Sequence, residues 1–109
     1  MELIEKARAA LQAKKAEDVV VLDLKKLSSV TDYYVIATGK NAPHLKALAN
    51  ELDRELATIG ARCYRRAGTP DSGWITADYL DAVVHLMTPE TRSYYALEQL
   101  WNDAPRVGD

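Results

Sequence analysis

The stretch Gly73-Trp74-Ile75-Thr76-Ala77-Asp78-Tyr79-Leu80-Asp81-Ala82-Val83-Val84-His85-Leu86-Met87 reads as two β-branched, alternating runs folded about a tight turn near Tyr79-Leu80. A two-residue loop places Trp74 opposite His85, Thr76 opposite Val83 and Asp78 opposite Asp81. Side chains alternate across a strand, so these six share one face. The other face carries Ile75, Ala77, Ala82, Val84 and Leu86 and is wholly apolar. It belongs in a core. The first face mixes an aromatic ring, a histidine and two carboxylates, and packing alone does not account for it.

On the N-terminal side, Leu3, Ile4, Ala7, Ala10 and Leu11 recur at helical spacing within residues 2–15 and predict a short amphipathic helix. Glu17-Asp18 opens the run Val19–Leu24, whose continuous β-branched character predicts a strand buried on both faces. Asp32–Thr38 is a second buried strand, stopped by Gly39. Asn41 can cap the next helix, with Pro43 in its first turn. Leu45, Leu48, Ala49, Leu52, Leu56 and Ile59 form its apolar stripe, and Gly60 ends it. Arg62–Arg66 is expected as a short strand and Ala67–Gly73 as a turn-rich loop. Thr88-Pro89-Glu90 starts a last helix running through Tyr94, Leu97, Leu100 and Trp101. Residues 102–109, with Pro105 and Gly108, are expected to fray as a flexible tail.

The expected fold is α/β, in the order α-β-β-α-β-β-β-α. Its single domain, residues 1–109, holds a mixed five-stranded sheet flanked by helices. Composition agrees, with 48% hydrophobic and 28% charged residues over 109 positions. Two Trp and six Tyr with no Phe give almost every ring a polar handle. The formal charge of −2 supplies no overall attraction to nucleic acid or an anionic membrane, so a basic protein is the easier partner. A single cysteine, Cys63, cannot form an internal disulfide, and neither a signal pattern nor a membrane-length apolar run is present. A cytoplasmic protein is expected.

Asp78 and Asp81 are the obvious carboxylate pair. Nucleotidyl transfer needs carboxylates alternating on one strand behind a phosphate-cradling turn, whereas these flank Tyr79-Leu80 with no such turn before them. Aspartates in turns commonly bond their own backbone. His44, His85 and Cys63 lack metal-ligand spacing, and Thr38–Asn41 reads as a capped strand-to-helix turn rather than an anion site. No catalytic residue, metal or cofactor is expected. Trp74 is the sharper signal, because the opposite face already supplies a complete apolar set. Burying Asp78 and Asp81 without cations would be costly, and exposed Trp and Tyr beside carboxylates have the anatomy of a protein-docking hot spot.

Thr31–Gly39, His44, Gly73-Trp74-Ile75, Asp78-Tyr79, Asp81, Val83-Val84-His85, Thr88-Pro89-Glu90, Arg92, Tyr94-Tyr95 and Leu97–Trp101 together resemble the ribosomal silencing factor family, RsfS or Iojap, over residues 2–105. The resemblance implies a nucleotidyltransferase-like fold without an active site. It also implies binding to the large ribosomal subunit through its protein L fourteen, a block on small-subunit joining, repression of translation when nutrients are scarce, and homodimers. It maps the docking surface onto the Trp74, Asp78, Tyr79 and Asp81 region; with Thr76, Leu80 and His85 beside them on the hairpin, seven docking residues are expected, with no membrane partner and little direct nucleic-acid contact. Leu80 stands where the family usually has glycine, and Ala67-Gly68 replaces a usual Glu-Gly. A nucleotidyltransferase using Asp78 and Asp81, or a plain dimerisation module, are the alternatives.

Overall fold

A computed structural model describes residues 2–108. The elements are α1 (Glu2–Ala13), β1 (Glu17–Asp23), β2 (Tyr33–Thr38), α2 (Ala42–Ala57), β3 (Arg65–Thr69), a 3-10 turn (Pro70–Ser72), β4 (Trp74–Asp78), β5 (Ala82–Met87), α3 (Pro89–Tyr95) and α4 (Leu97–Leu100). The five strands form one sheet in the order β1-β2-β5-β4-β3. Only the β2–β5 pair is parallel, so the sheet is mixed as expected.

Alternation sorts the sheet into two layers. Val21, Val35, Ala37, Ile75, Ala77, Val84 and Leu86 face α1 and α2, whose Leu3, Ile4, Leu11, Leu45, Leu48, Leu52 and Leu56 complete the larger core. The opposite layer is smaller: Val20, Leu22, Leu24, Ile36 and Met87 pack with Ala104, edged by Tyr34, Trp74, Leu97 and Trp101. Asn41 caps α2 by accepting from the His44 backbone N–H at 2.9 Å, as its position predicts.

Four expectations change. β3 lies at 65–69 rather than 62–66, and the expected loop is half strand and half 3-10 turn. Its residues are all exposed on the sheet edge, so no hydrophobic pattern marks them. The last helix breaks in two at Ala96, which adopts a left-handed conformation at φ 48°. β1 is buried on both faces, as expected, with Val21 in the larger core and Val20 and Leu22 in the smaller one, yet it lies at the sheet edge. The segment expected to fray lies along that edge: the Asp23 N–H donates to the Pro105 carbonyl and the Val107 N–H to the Val21 carbonyl, at 2.8 and 2.9 Å. Arg8 holds the same segment by donating to the Val107 and Gly108 carbonyls. Paired in this way, 105–108 cover backbone groups that an edge strand otherwise leaves open. Asp109 lies outside the described residues.

Candidate docking face

The β4–β5 hairpin keeps the two faces read from its sequence but not the register. Trp74 pairs with Met87, Thr76 with His85 and Asp78 with Val83, two residues away from the expected pairing. A slip of two preserves which face every side chain occupies. The turn is the cause. Asp78 accepts the Leu80 backbone N–H at 2.8 Å, and the Tyr79 N–H donates to the Ala82 carbonyl at 2.8 Å. Leu80 sits at φ 73°, the left-handed region its side chain disfavours. The segment before β2 holds it there: the Thr31 hydroxyl donates to the Leu80 carbonyl at 3.2 Å, and the Asp32 and Tyr33 N–H groups both donate to the Asp81 carbonyl.

Asp78 and Asp81 are therefore not a cross-strand pair. Asp78 is partly buried and engaged with its own turn, while Asp81 is exposed. Leu80 projects beside them with 59% of its surface accessible. Relief of its backbone strain gives a direct test. Leu80→Gly should stabilise the fold by about 0.5–1 kcal/mol, since little buried surface is lost, with the entropy of a freer unfolded chain offsetting part of the gain. Urea denaturation measures it, and a loss of stability would show that Leu80 packs productively where it stands.

Tyr79 corrects an expectation. It is 6% accessible and belongs to the larger core, with its hydroxyl donating to Asp53 Oδ1 on α2 at 2.7 Å. Burial first, then the bond to Asp53, push its phenol far above the ordinary tyrosine range. The alternation Ile75, Ala77, Tyr79 already carried this signal, because the tyrosine continues the apolar parity. Tyr79 thus anchors the turn from behind rather than offering an exposed ring.

On the mixed face, Trp74 is partly buried and its indole Nε1–H donates to His85 Nδ1 at 3.1 Å. That bond assigns the histidine proton to Nε2, as a neutral ring. His85 is also buried, at 6% accessible, and its Nε2 has no partner among the described residues. Burial lowers its pKa to about 4. The Tyr34 and Trp74 rings flank it, with centroids 4.6 and 5.9 Å away. Of the seven expected docking residues, Trp74, Thr76, Asp78, Leu80 and Asp81 have accessible surface on or beside this face, while Tyr79 and His85 lie beneath it.

Gly73 sets the entry of Trp74 into the sheet. At φ 79° it closes the 3-10 turn, and an added Cβ would meet Thr91 Oγ1 at 2.7 Å and Thr88 Oγ1 at 2.9 Å. Thr88 occupies the cap position of α3, but its hydroxyl bonds Thr91 Oγ1 rather than a backbone N–H. Arg92, further along α3, was not among the expected site residues. It donates to the Asp18 carbonyl, Thr38 Oγ1 and Glu98, tying α3 and α4 to the strands.

The other candidates have structural partners. His44 accepts from the Lys40 N–H through Nδ1 at 2.9 Å, and its Nε2 lies 2.8 Å from the Lys14 carbonyl. The strand-to-helix turn at 38–41 thereby uses its amides internally. No group of three or more potential metal ligands occurs among the described residues. No helix among them is long and apolar enough to cross a membrane.

A family model described as "Ribosomal silencing factor during starvation" matches residues 1–109. The ribosomal silencing factor RsfS of Halalkalibacterium halodurans is 38% identical over 106 residues, spanning 97% of this chain and 91% of the relative. The mouse protein named mitochondrial assembly of ribosomal large subunit protein 1 is 33% identical over 94 residues, which are 84% of this chain and 41% of that one. A crystal structure of a Chromobacterium violaceum protein superimposes with a TM-score of 0.88 at 36% identity, covering 93% of this chain and 84% of the other. Sequence and fold thus agree: the chain belongs to the RsfS family of ribosomal silencing factors.

Proposed function

We propose that this protein silences ribosomes by docking its β4–β5 face on the large subunit, through protein L fourteen, and sterically blocking the small subunit. Translation is thereby repressed when nutrients are limiting. The reading rests on family membership and is carried by one observation. Trp74 remains partly accessible on a face whose rim holds Asp78, Leu80 and Asp81, while the other face of the same hairpin is sealed under α2. An aromatic centre with an acidic, polar rim suits a basic protein surface. Trp74, Thr76 and Leu80 supply contact area, and Asp78 and Asp81 set orientation and on-rate. Tyr79 and His85 hold these groups from below.

A pull-down of large subunits across a salt series tests the electrostatic part. Wild-type binding should weaken as salt rises, and Asp78→Asn and Asp81→Asn should each bind about two- to fivefold less tightly at low salt with a shallower salt slope. In the first variant the introduced side-chain carbonyl can still accept the Leu80 N–H, so the turn survives the change. Wild-type binding indifferent to salt would rule out an acidic docking face.

A further inference from the structure

We propose that the groove between β4 and α3 is an arginine-binding subsite of the docking surface, built from Trp74, Tyr94, Tyr95 and Glu90. The inference rests on the ribosome-docking reading, which supplies a basic protein as partner. The groove is open to solvent and offers about 710 Å³, with Gly68 and Thr76 among its lining residues. Among the described residues, no lysine or arginine lines it. Tyr95 packs at a tilt against Trp74, with centroids 4.7 Å apart at 50°, and Tyr94 meets Tyr95 edge-on at 4.9 Å and 83°. Much of both rings stays open to solvent, with Tyr95 half accessible even where it packs on Trp74. α3 has no buried residue, and Tyr94 is 82% accessible.

Two inclined π-faces beside a carboxylate attract a cation. The planar guanidinium fits best, because it stacks on a ring and presents a fork of N–H donors to Glu90 at once. A lysine ammonium is more strongly hydrated and cannot stack. At Gly68 an added Cβ would fall 2.0 Å from the Trp74 carbonyl oxygen, so no side chain can fill the groove from that side. Thr76 connects the groove floor to the face that carries Asp78. The subsite therefore extends the acidic rim across to α3, a region outside the hairpin.

Two measurements on the full chain test this. In cosedimentation with large subunits, Tyr94→Ala should weaken binding about tenfold and Glu90→Gln about threefold, with the double variant losing less than the product. In an NMR titration of the protein alone, N-acetyl-arginine amide should shift the Trp74 indole and the α3 amides, while N-acetyl-citrulline amide, uncharged and nearly isosteric, should not. Equal responses to the two amides, or none, would overturn the subsite. So would Glu90→Gln binding normally while Tyr94→Ala binds poorly, which would identify an apolar anchor. A shift in dimer population by light scattering with unchanged subunit affinity would assign the groove to a second copy and also overturn it. If wild-type protein fails to cosediment, the ribosome reading falls by itself, and the amide titration alone decides the subsite.

Discussion

Trp74→Ala is expected to weaken large-subunit binding by at least about 2 kcal/mol, roughly thirtyfold or more, while the domain remains folded. The magnitude follows from position. The indole is the only large ring on the hairpin's mixed face, and it lies at the junction of β4, β5 and α3. It reaches solvent yet is fixed by the bond to His85 and by packing against Tyr95, so little side-chain entropy remains to be lost on docking. Truncation removes the contact area and loosens Tyr95 together. The core on the α1/α2 side does not include Trp74, and circular dichroism and urea denaturation should confirm that the variant folds. Trp74→Phe separates two contributions: it keeps a ring but loses the N–H that fixes its orientation, and should fall between wild type and alanine. Normal cosedimentation of Trp74→Ala would move the docking face elsewhere.

The division of the hairpin into a core face and a mixed face was legible because strand alternation has period two. A two-residue slip in register leaves it intact, so a wrong turn length did no harm to the faces. The register itself was not legible. It depends on Leu80 taking φ 73° and on the Asp78 carboxylate binding the Leu80 N–H; a turn aspartate bonding its own backbone was expected, but that alone does not set the length of the turn. The same reasoning covers β3, whose exposed residues leave no hydrophobic trace, and the C-terminal segment, which is held to β1 by backbone hydrogen bonds available to almost any sequence. The break at Ala96 was hidden because Leu97 and Trp101 continue an apolar stripe past a residue with high helix propensity. At the candidate site, Trp74, Thr76, Asp78, Leu80 and Asp81 could be read from the chain. The α3 tyrosines could not, since their partner ring arrives from about 20 residues away through the tertiary fold.

The second large effect is on stability against acid, through His85. Its folded pKa is about 4, below the ordinary 6.5, because burial disfavours the imidazolium. The unfolded chain therefore binds a proton between pH 6.5 and 4 that the folded chain refuses, and stability rises with pH across that window. The contribution is complete above pH 6.5, is lost as pH falls through the folded pKa, and levels off below it. A displacement of this size corresponds to roughly 3 kcal/mol. Direct geometry agrees with the sign. Protonation at Nδ1 would put an N–H against the Trp74 Nε1–H, which now donates to that atom, and would leave the ring flanked by Tyr34 and Trp74 with Nε2 still unpartnered. Glu98 is held below its ordinary range chiefly by Arg92, so it too loses stabilisation as pH falls, and only a comparison isolates the histidine. Urea denaturation of wild type and His85→Phe at about pH 7 and about pH 4 provides it. Wild type should lose roughly 3 kcal/mol more than the variant between the two pH values. The variant carries a constant cost for the Trp74 N–H it leaves without an acceptor, and that cost cancels in the difference. Equal losses in both proteins would mean that His85 gains a proton without penalty, and that Trp74 is fixed by packing rather than by a neutral imidazole.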